Sequence, residues 1–148
     1  MQFEVKEACD GDAIGSGRVL IAPSGAHMKV KRTSLGGKVV LERGGVVNGH
    51  MPSVDVLFSS VAVEYGAYSY GVLMTGMGSD GAQGLGEVKQ AGGYTVAQDG
   101  ESCSVFGMPR VAIERGYVCK VVKLSDLADH LVSVVGQKCN PEGSYAGN

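Results

Sequence analysis

The segment "GVLMTGMGSDGAQGL", residues 71–85, decides how the rest of the chain is read. An apolar run, Gly71 to Met74, enters a glycine-rich turn, and a helix-forming stretch leaves it. The turn spells Gly76-x-Gly78-x-x-Gly81, the letter pattern of a dinucleotide-binding loop. A carboxylate, Asp80, sits inside it. The turn therefore either holds a phosphate or holds up an acid.

Working outward, "YGVLMT" (residues 70–75) is apolar throughout and reads as a buried parallel strand. The helix after the turn runs from about Gly81 to Ala91 and stops at Gly92-Gly93, and "YTVAQ" (94–98) is the next strand. Upstream, Val54, Leu57, Phe58, Val61, Ala62 and Tyr65 recur at helical spacing, with Ser53 as cap and Gly66 as stop. Earlier still, "RVLIAP" (18–23) is a short strand, and "HMKVKRT" and "KVVLERG" form a hairpin around the loop "SLGG", residues 34–37. Lys29, Lys31, Lys38 and Arg43 belong to its solvated face. Downstream, "PRVAIERG" offers Pro109 at a helix's first position and Gly116 at its end. "YVCKVVK" is a last strand, and "SDLADHLVSVVG" a last helix capped by Ser125, with Leu127, Leu131, Val134 and Val135 on its apolar side. Strands alternating with helices predict an α/β fold: a doubly wound, mostly parallel sheet with helices on both faces, plus a β-hairpin. In such sheets ligands sit beyond the carboxyl ends of the strands, where the turn after Thr75 lies.

A length of 148 residues predicts one domain, placed here at 1–136, followed by a loose tail at 137–148. The net charge of −2, without a basic run, argues against nucleic acid as a partner. The opening "MQFEVKEACDGD" is too charged for a signal peptide, and no apolar run is long enough to cross a bilayer. Cys9, Cys103, Cys119 and Cys139 lack metal-type spacing. Cys103 and Cys119 read as buried free thiols, and the setting expected is a reducing cytoplasm. No metal and no cofactor are expected.

Three readings of Asp80 stand side by side. In a nucleotide loop its charge would repel a pyrophosphate at the helix N-terminus, and Met77 would crowd the approach, although Asp99 stands where a ribose-binding acid is expected. As an N-cap it would accept backbone N–H groups, for about 1 kcal/mol. As the acid of a hydrolytic triad it would hold a histidine in its useful tautomer.

The motifs "LMTGMGSDGAQGL", "QAGGYTVAQD" and "SVFGMPRVAIERG", with "VLIAPSGAHM" and "HMPSVDVLFSSVA" before them, closely resemble the catalytic domain of chemotaxis protein-glutamate methylesterases. The resemblance runs from about Glu4 to Gly136. It implies hydrolysis of methyl esters on chemoreceptor glutamates, with deamidation of glutamines in many members, through a metal-free Ser-His-Asp triad. It implies that Asp80 is the triad aspartate and that Thr75, Gly76, Met77, Gly78, Met108 and Arg110 bind substrate or shape the site. In the family the serine and histidine of the triad lie upstream of the segment where Met1 stands here, so the chain alone is expected to be inactive.

Substitutes for those two residues are poor. His50 in "GHMP" looks like the family's catalytic histidine but continues into the later helix-start motif. His27 opens the hairpin and reads as structural or as part of the site's rim, and His130 as a surface residue. Ser79 adjoins Asp80 with no base between them, and Ser102 and Cys103 read as packing residues, Cys103 being a nucleophile only if a histidine reaches it. The partners expected are the methylated cytoplasmic region of a chemoreceptor, and either a separate N-terminal fragment or a second copy covering an exposed sheet edge. The alternatives are a receptor-binding or assembly module without chemistry and, more weakly, a dinucleotide-binding domain.

Overall fold

The computed structural model describes residues 2–136; the tail expected over 137–148 lies outside the described residues. Its elements in chain order are β1 (Glu4–Glu7), β2 (Ala13–Ile14), β3 (Arg18–Ile21), β4 (His27–Thr33), β5 (Gly36–Glu42), α1 (Val54–Tyr65), β6 (Tyr70–Leu73), α2 (Ala82–Gln90), β7 (Tyr94–Gln98), α3 (Met108–Glu114), β8 (Lys120–Val122) and α4 (Leu127–Val134). Single 3-10 turns precede β6 and α4.

The part that positions the site is the parallel sheet β6-β7-β8. β7 is its buried centre, and its side chains alternate between two apolar layers. Ala97 joins Leu73, Ala82, Leu85, Ala112 and Val121 beneath α1, α2 and α3. Val96 joins Val122 and Leu127 beneath α4. Helices thus cover both faces, as the unbroken apolar runs predict. Val96, Ala97, Leu85 and Val88 are inaccessible to solvent. Filling these layers is the main source of cohesion, each buried valine or leucine contributing roughly 1.5–3 kcal/mol.

Helix α1 begins and ends where its sequence says. The Ser53 side chain accepts the Val56 N–H, and Gly66, at φ 50°, closes the other end. The first part of the chain forms an antiparallel sheet β2-β5-β4 and a separate parallel pair β1-β3. A smaller apolar cluster around Ala8, Met28 and Val39 sits beneath the hairpin, with Leu57 of α1 packed against it.

Five expectations need correction. The hairpin turn is Ser34-Leu35 alone, because Gly36 and Gly37 pair inside β5 with Thr33 and Arg32. Gly37 is glycine because a Cβ there would lie 1.9 Å from the Tyr65 hydroxyl. Ser125 does not cap α4: it lies within the preceding 3-10 turn, and Val135 is 71% exposed rather than on the buried side. Cys119 is not a free thiol but disulfide-bonded, while Cys9 and Cys103 are free. That removes one support for a reducing setting. Finally, His130 is not a plain surface residue. It packs on Tyr94 with ring centroids 6.0 Å apart, its Nε2 lying 3.3 Å from the Tyr94 hydroxyl.

No helix among the described residues is long and apolar enough to cross a membrane.

Candidate functional site

Two turns rise from the carboxyl ends of adjacent strands, one after β6 and one after β7. They are stitched together at Gly76. Its N–H donates to the Val105 carbonyl at 3.0 Å, and its own carbonyl accepts the Met108 N–H at 2.9 Å. A Cβ on Gly76 would stand 2.2 Å from the Met108 sulfur, so a larger residue here would push the Met108 side chain aside. Thr75 completes the seam. Its hydroxyl donates to the Val105 carbonyl and accepts the Val105 N–H, at 3.1 and 2.9 Å. Its N–H donates to Gln98 Oε1 at 2.9 Å. Gln98 is 1% exposed, and its Nε2 donates to the Ser102 carbonyl at 2.8 Å. A buried amide thereby locks both turns to one strand end.

Met77, Gly78, Ser79, Phe106 and Arg110 border an open cleft of about 500 Å³ above this seam. Met77 is 79% exposed. Arg110 reaches the cleft from α3 and stands 3.9 Å from Glu114, one helical turn on. The structure therefore gathers Thr75, Gly76, Met77, Gly78, Met108 and Arg110 into one region.

Asp80 lies at the far end of the same turn and is 4% exposed. It does not cap the helix that follows it: the N-cap of α2 is Gly81, in the left-handed region, with no side-chain cap bond. It caps α1 instead. Oδ2 accepts the Val54 N–H at 2.7 Å. Oδ1 accepts the Ser53 hydroxyl at 2.7 Å, the Asn48 amide at 3.0 Å and the Asp55 N–H at 3.3 Å. The exchange is reciprocal, since Asp55 Oδ1 accepts the Gly84 N–H in the first turn of α2 at 2.7 Å. Each helix start is thus closed by a carboxylate from the other. Burial on its own pushes the Asp80 carboxyl upward, but the donors from Asn48, Ser53, Val54 and Asp55 outweigh it. Its pKa lies below the ordinary aspartate value.

This arrangement bears on the nucleotide reading. The N-terminus of α2, where a pyrophosphate would rest, already holds Asp55, and Asp80 stands beside it.

Serine, histidine and aspartate do meet here, in an order that cannot work as a triad. Ser53 donates its hydroxyl directly to the acid, with no imidazole between. His27, 5% exposed, accepts the Ser53 N–H on Nδ1 at 3.2 Å, and its Nε2 lies 2.8 Å from the Gly45 carbonyl, so both ring nitrogens are engaged by backbone. His50 is exposed and ends a small antiparallel bridge with Val47. Cys103 has its thiol pushed up by burial and by the charge of Asp99, against a lowering hydrogen bond from Thr75; it stays protonated and points at the Gln98 carbonyl, 3.9 Å away. Among the described residues, no group of three His, Cys, Asp or Glu side chains is placed to hold a metal ion.

Sequence reading missed Asn48, Asp55 and Gln98. Asn48 had a visible signal, the Asn-Gly pair of a tight hairpin turn. Asp55 and Gln98 had none, because each acts on a segment more than twenty residues away.

A family profile described as CheB methylesterase matches residues 1–131. The chain belongs to the CheB methylesterase family. Among curated relatives, the protein-glutamate methylesterase/protein-glutamine glutaminase 2 of Koribacter versatilis is 55% identical over 130 residues, which are 88% of this chain and 36% of the relative. The protein-glutamate methylesterase/protein-glutamine glutaminase of Escherichia coli K12 is 46% identical over 134 residues, 90% of this chain and 38% of the relative. The chain thus spans well under half the length of these relatives. The crystal structure of the Thermotoga maritima CheB methylesterase catalytic domain matches with a TM-score of 0.86 at 36% identity, over 88% of this chain and 69% of that one. The fold is therefore that of the CheB catalytic domain, a three-layer α/β sandwich.

Proposed function

We propose that this chain carries the acid-bearing portion of a protein-glutamate methylesterase that demethylates, and also deamidates, glutamyl side chains of chemoreceptors in the cytoplasm. The observation that carries the reading is the state of Asp80, a buried carboxylate kept ionised at the mouth of a parallel strand. Oδ1 is filled by three donors while Oδ2 has one, which leaves Oδ2 the capacity for a further N–H. An imidazole donating there would be held in the tautomer that accepts a serine proton and would be stabilised once charged.

In this reading the serine and the imidazole come from outside residues 2–136, from a preceding segment or a separate fragment. The serine attacks the ester carbonyl as the imidazole takes its proton. The same proton then goes to the departing methoxide, methanol leaves, and water releases the acyl group by the same route in reverse. Met77, Gly78 and Arg110 border the cleft that receives the substrate side chain, Thr75, Gly76 and Met108 shape it from the seam beneath, and no metal or cofactor takes part.

A receptor-binding or assembly module without chemistry is the second reading. It is favoured by the engagement of Ser53 and His27 in bonds that preclude catalysis.

The test is methanol release from a methylated receptor fragment. The chain alone should give none. Joined to a segment carrying the serine and histidine turns, it should be active, and Asp80→Asn should lower kcat by roughly 10⁴-fold, as expected for a wrongly held tautomer. Undiminished release by Asp80→Asn would overturn the reading, and a blank from the joined protein would favour the binding module.

A further inference from the structure

Asn48 lies outside every motif that carries the resemblance, yet it touches both carboxylates at the meeting point of α1 and α2. It occupies the first central position of a two-residue turn in which Val47 and His50 exchange backbone hydrogen bonds, both at 2.9 Å. Asn48 has φ 55° and Gly49 φ 78°, the paired positive values of a type I′ turn. Asn48 is the one non-glycine residue with positive φ among those described. Asparagine tolerates that conformation better than most residues, but glycine would do so at less cost, and so the side chain needs its own explanation.

Its contacts supply one. The single nitrogen Nδ2 donates to Asp55 Oδ2 at 2.7 Å and to Asp80 Oδ1 at 3.0 Å. An amide nitrogen has two hydrogens, one for each acid. Without it, two carboxylates anchored on neighbouring helix starts would face each other with nothing between them, and one of them would favour protonation. Asp55 is the charged side chain that α1 brings against Asp80. His27 of β4 stands behind Ser53 with its ring nitrogens on backbone groups, and His50 closes the same turn.

We propose that Asn48 is a positioning residue: its turn is a latch that inserts one amide between Asp55 and Asp80, holding the Asp80 carboxylate in place with Oδ2 available to an imidazole. This rests on the reading of Asp80 as the orienting acid.

The test uses the full chain with labelled Asp and Asn side chains, followed by NMR. In the parent, the Asn48 amide protons should exchange slowly and shift with the Asp80 midpoint. Asn48→Gly keeps the positive φ and removes the amide, and should raise that midpoint by roughly one pH unit, as loss of a charge-assisted hydrogen bond implies. Asn48→Asp, isosteric but anionic, should raise it further. Fast-exchanging amide protons indifferent to Asp80, or midpoints unchanged in the variants, would overturn the proposal, and the parent measurement stands even if a variant fails to fold. The methylesterase reading fails separately. A blank methanol assay of the joined protein beside a raised midpoint sinks that reading and leaves the latch, while an unmoved midpoint beside methanol release from the joined protein that Asp80→Asn abolishes does the reverse.

Discussion

The turns after β6 and β7 rise from neighbouring strands of one sheet, yet they hold their ionisable groups in opposite states. Asp80, in the first, is almost fully buried and still favours its charge, because backbone and side-chain donors converge on it. Cys103, in the second, is only half-buried but favours its neutral thiol, because burial and the nearby Asp99 both oppose a thiolate. Burial alone does not decide charge; the number and sign of the neighbours do. The difference teaches that converging donors favour a charge in the first turn that burial and Asp99 oppose in the second.

Replacing each group in turn sharpens that contrast. The largest effect belongs to Asp80→Ala, which strands the Val54 and Asp55 N–H groups, the Ser53 hydroxyl and the Asn48 amide. Unfolding in urea should show a loss of roughly 3 kcal/mol. The pH dependence follows from the sign of the shift. A folded pKa below the unfolded value near 3.9 means that the contribution of Asp80 is complete above about pH 4. It is lost as pH falls through the lower folded value. The stability curve of Asp80→Asn should therefore be flatter over that acid range.

Next comes Gln98→Ala, which frees the Thr75 N–H and the Ser102 carbonyl and opens a small void. It should cost roughly 2 kcal/mol while leaving the acid titration of Asp80 where it was. A shift of Asp80 in that variant would mean that the two turns are coupled, and would break the comparison. The smallest effect is expected from Cys103→Ala, under about 1 kcal/mol. In the parent, iodoacetamide at neutral pH should modify exposed Cys9 well before Cys103. Rapid alkylation of Cys103 would show a thiolate that the structure does not support.

The second half of the fold was legible because its signals are local. Ser53 and Gly66 bracket a run with helical spacing, and α1 fills the space between them. β7 is buried from Thr95 to Gln98 because helices cover both of its faces. β1 and β2 escaped notice for the opposite reason. Val5 is 59% exposed and β2 has two residues, so neither carries an apolar pattern to read. The motif drew attention to Asp80, and the expectation that it meets helix N–H groups held in kind. The helix it serves was out of reach of sequence, since Val54 lies 26 positions before it. Caps are recognised by adjacency, and this one crosses between two elements. The turn that ends at His50 was readable two residues earlier, since Asn48-Gly49 marks a tight turn.

The central claim is that Asp80 is a buried anion held ready for an imidazole, and its own titration tests that most directly. Followed through its carboxyl carbon in the folded chain, Asp80 should titrate below 3.9, the ordinary aspartate value, and remain ionised throughout the neutral range. A midpoint above about 5 would show an acid that burial has neutralised, and would contradict the account.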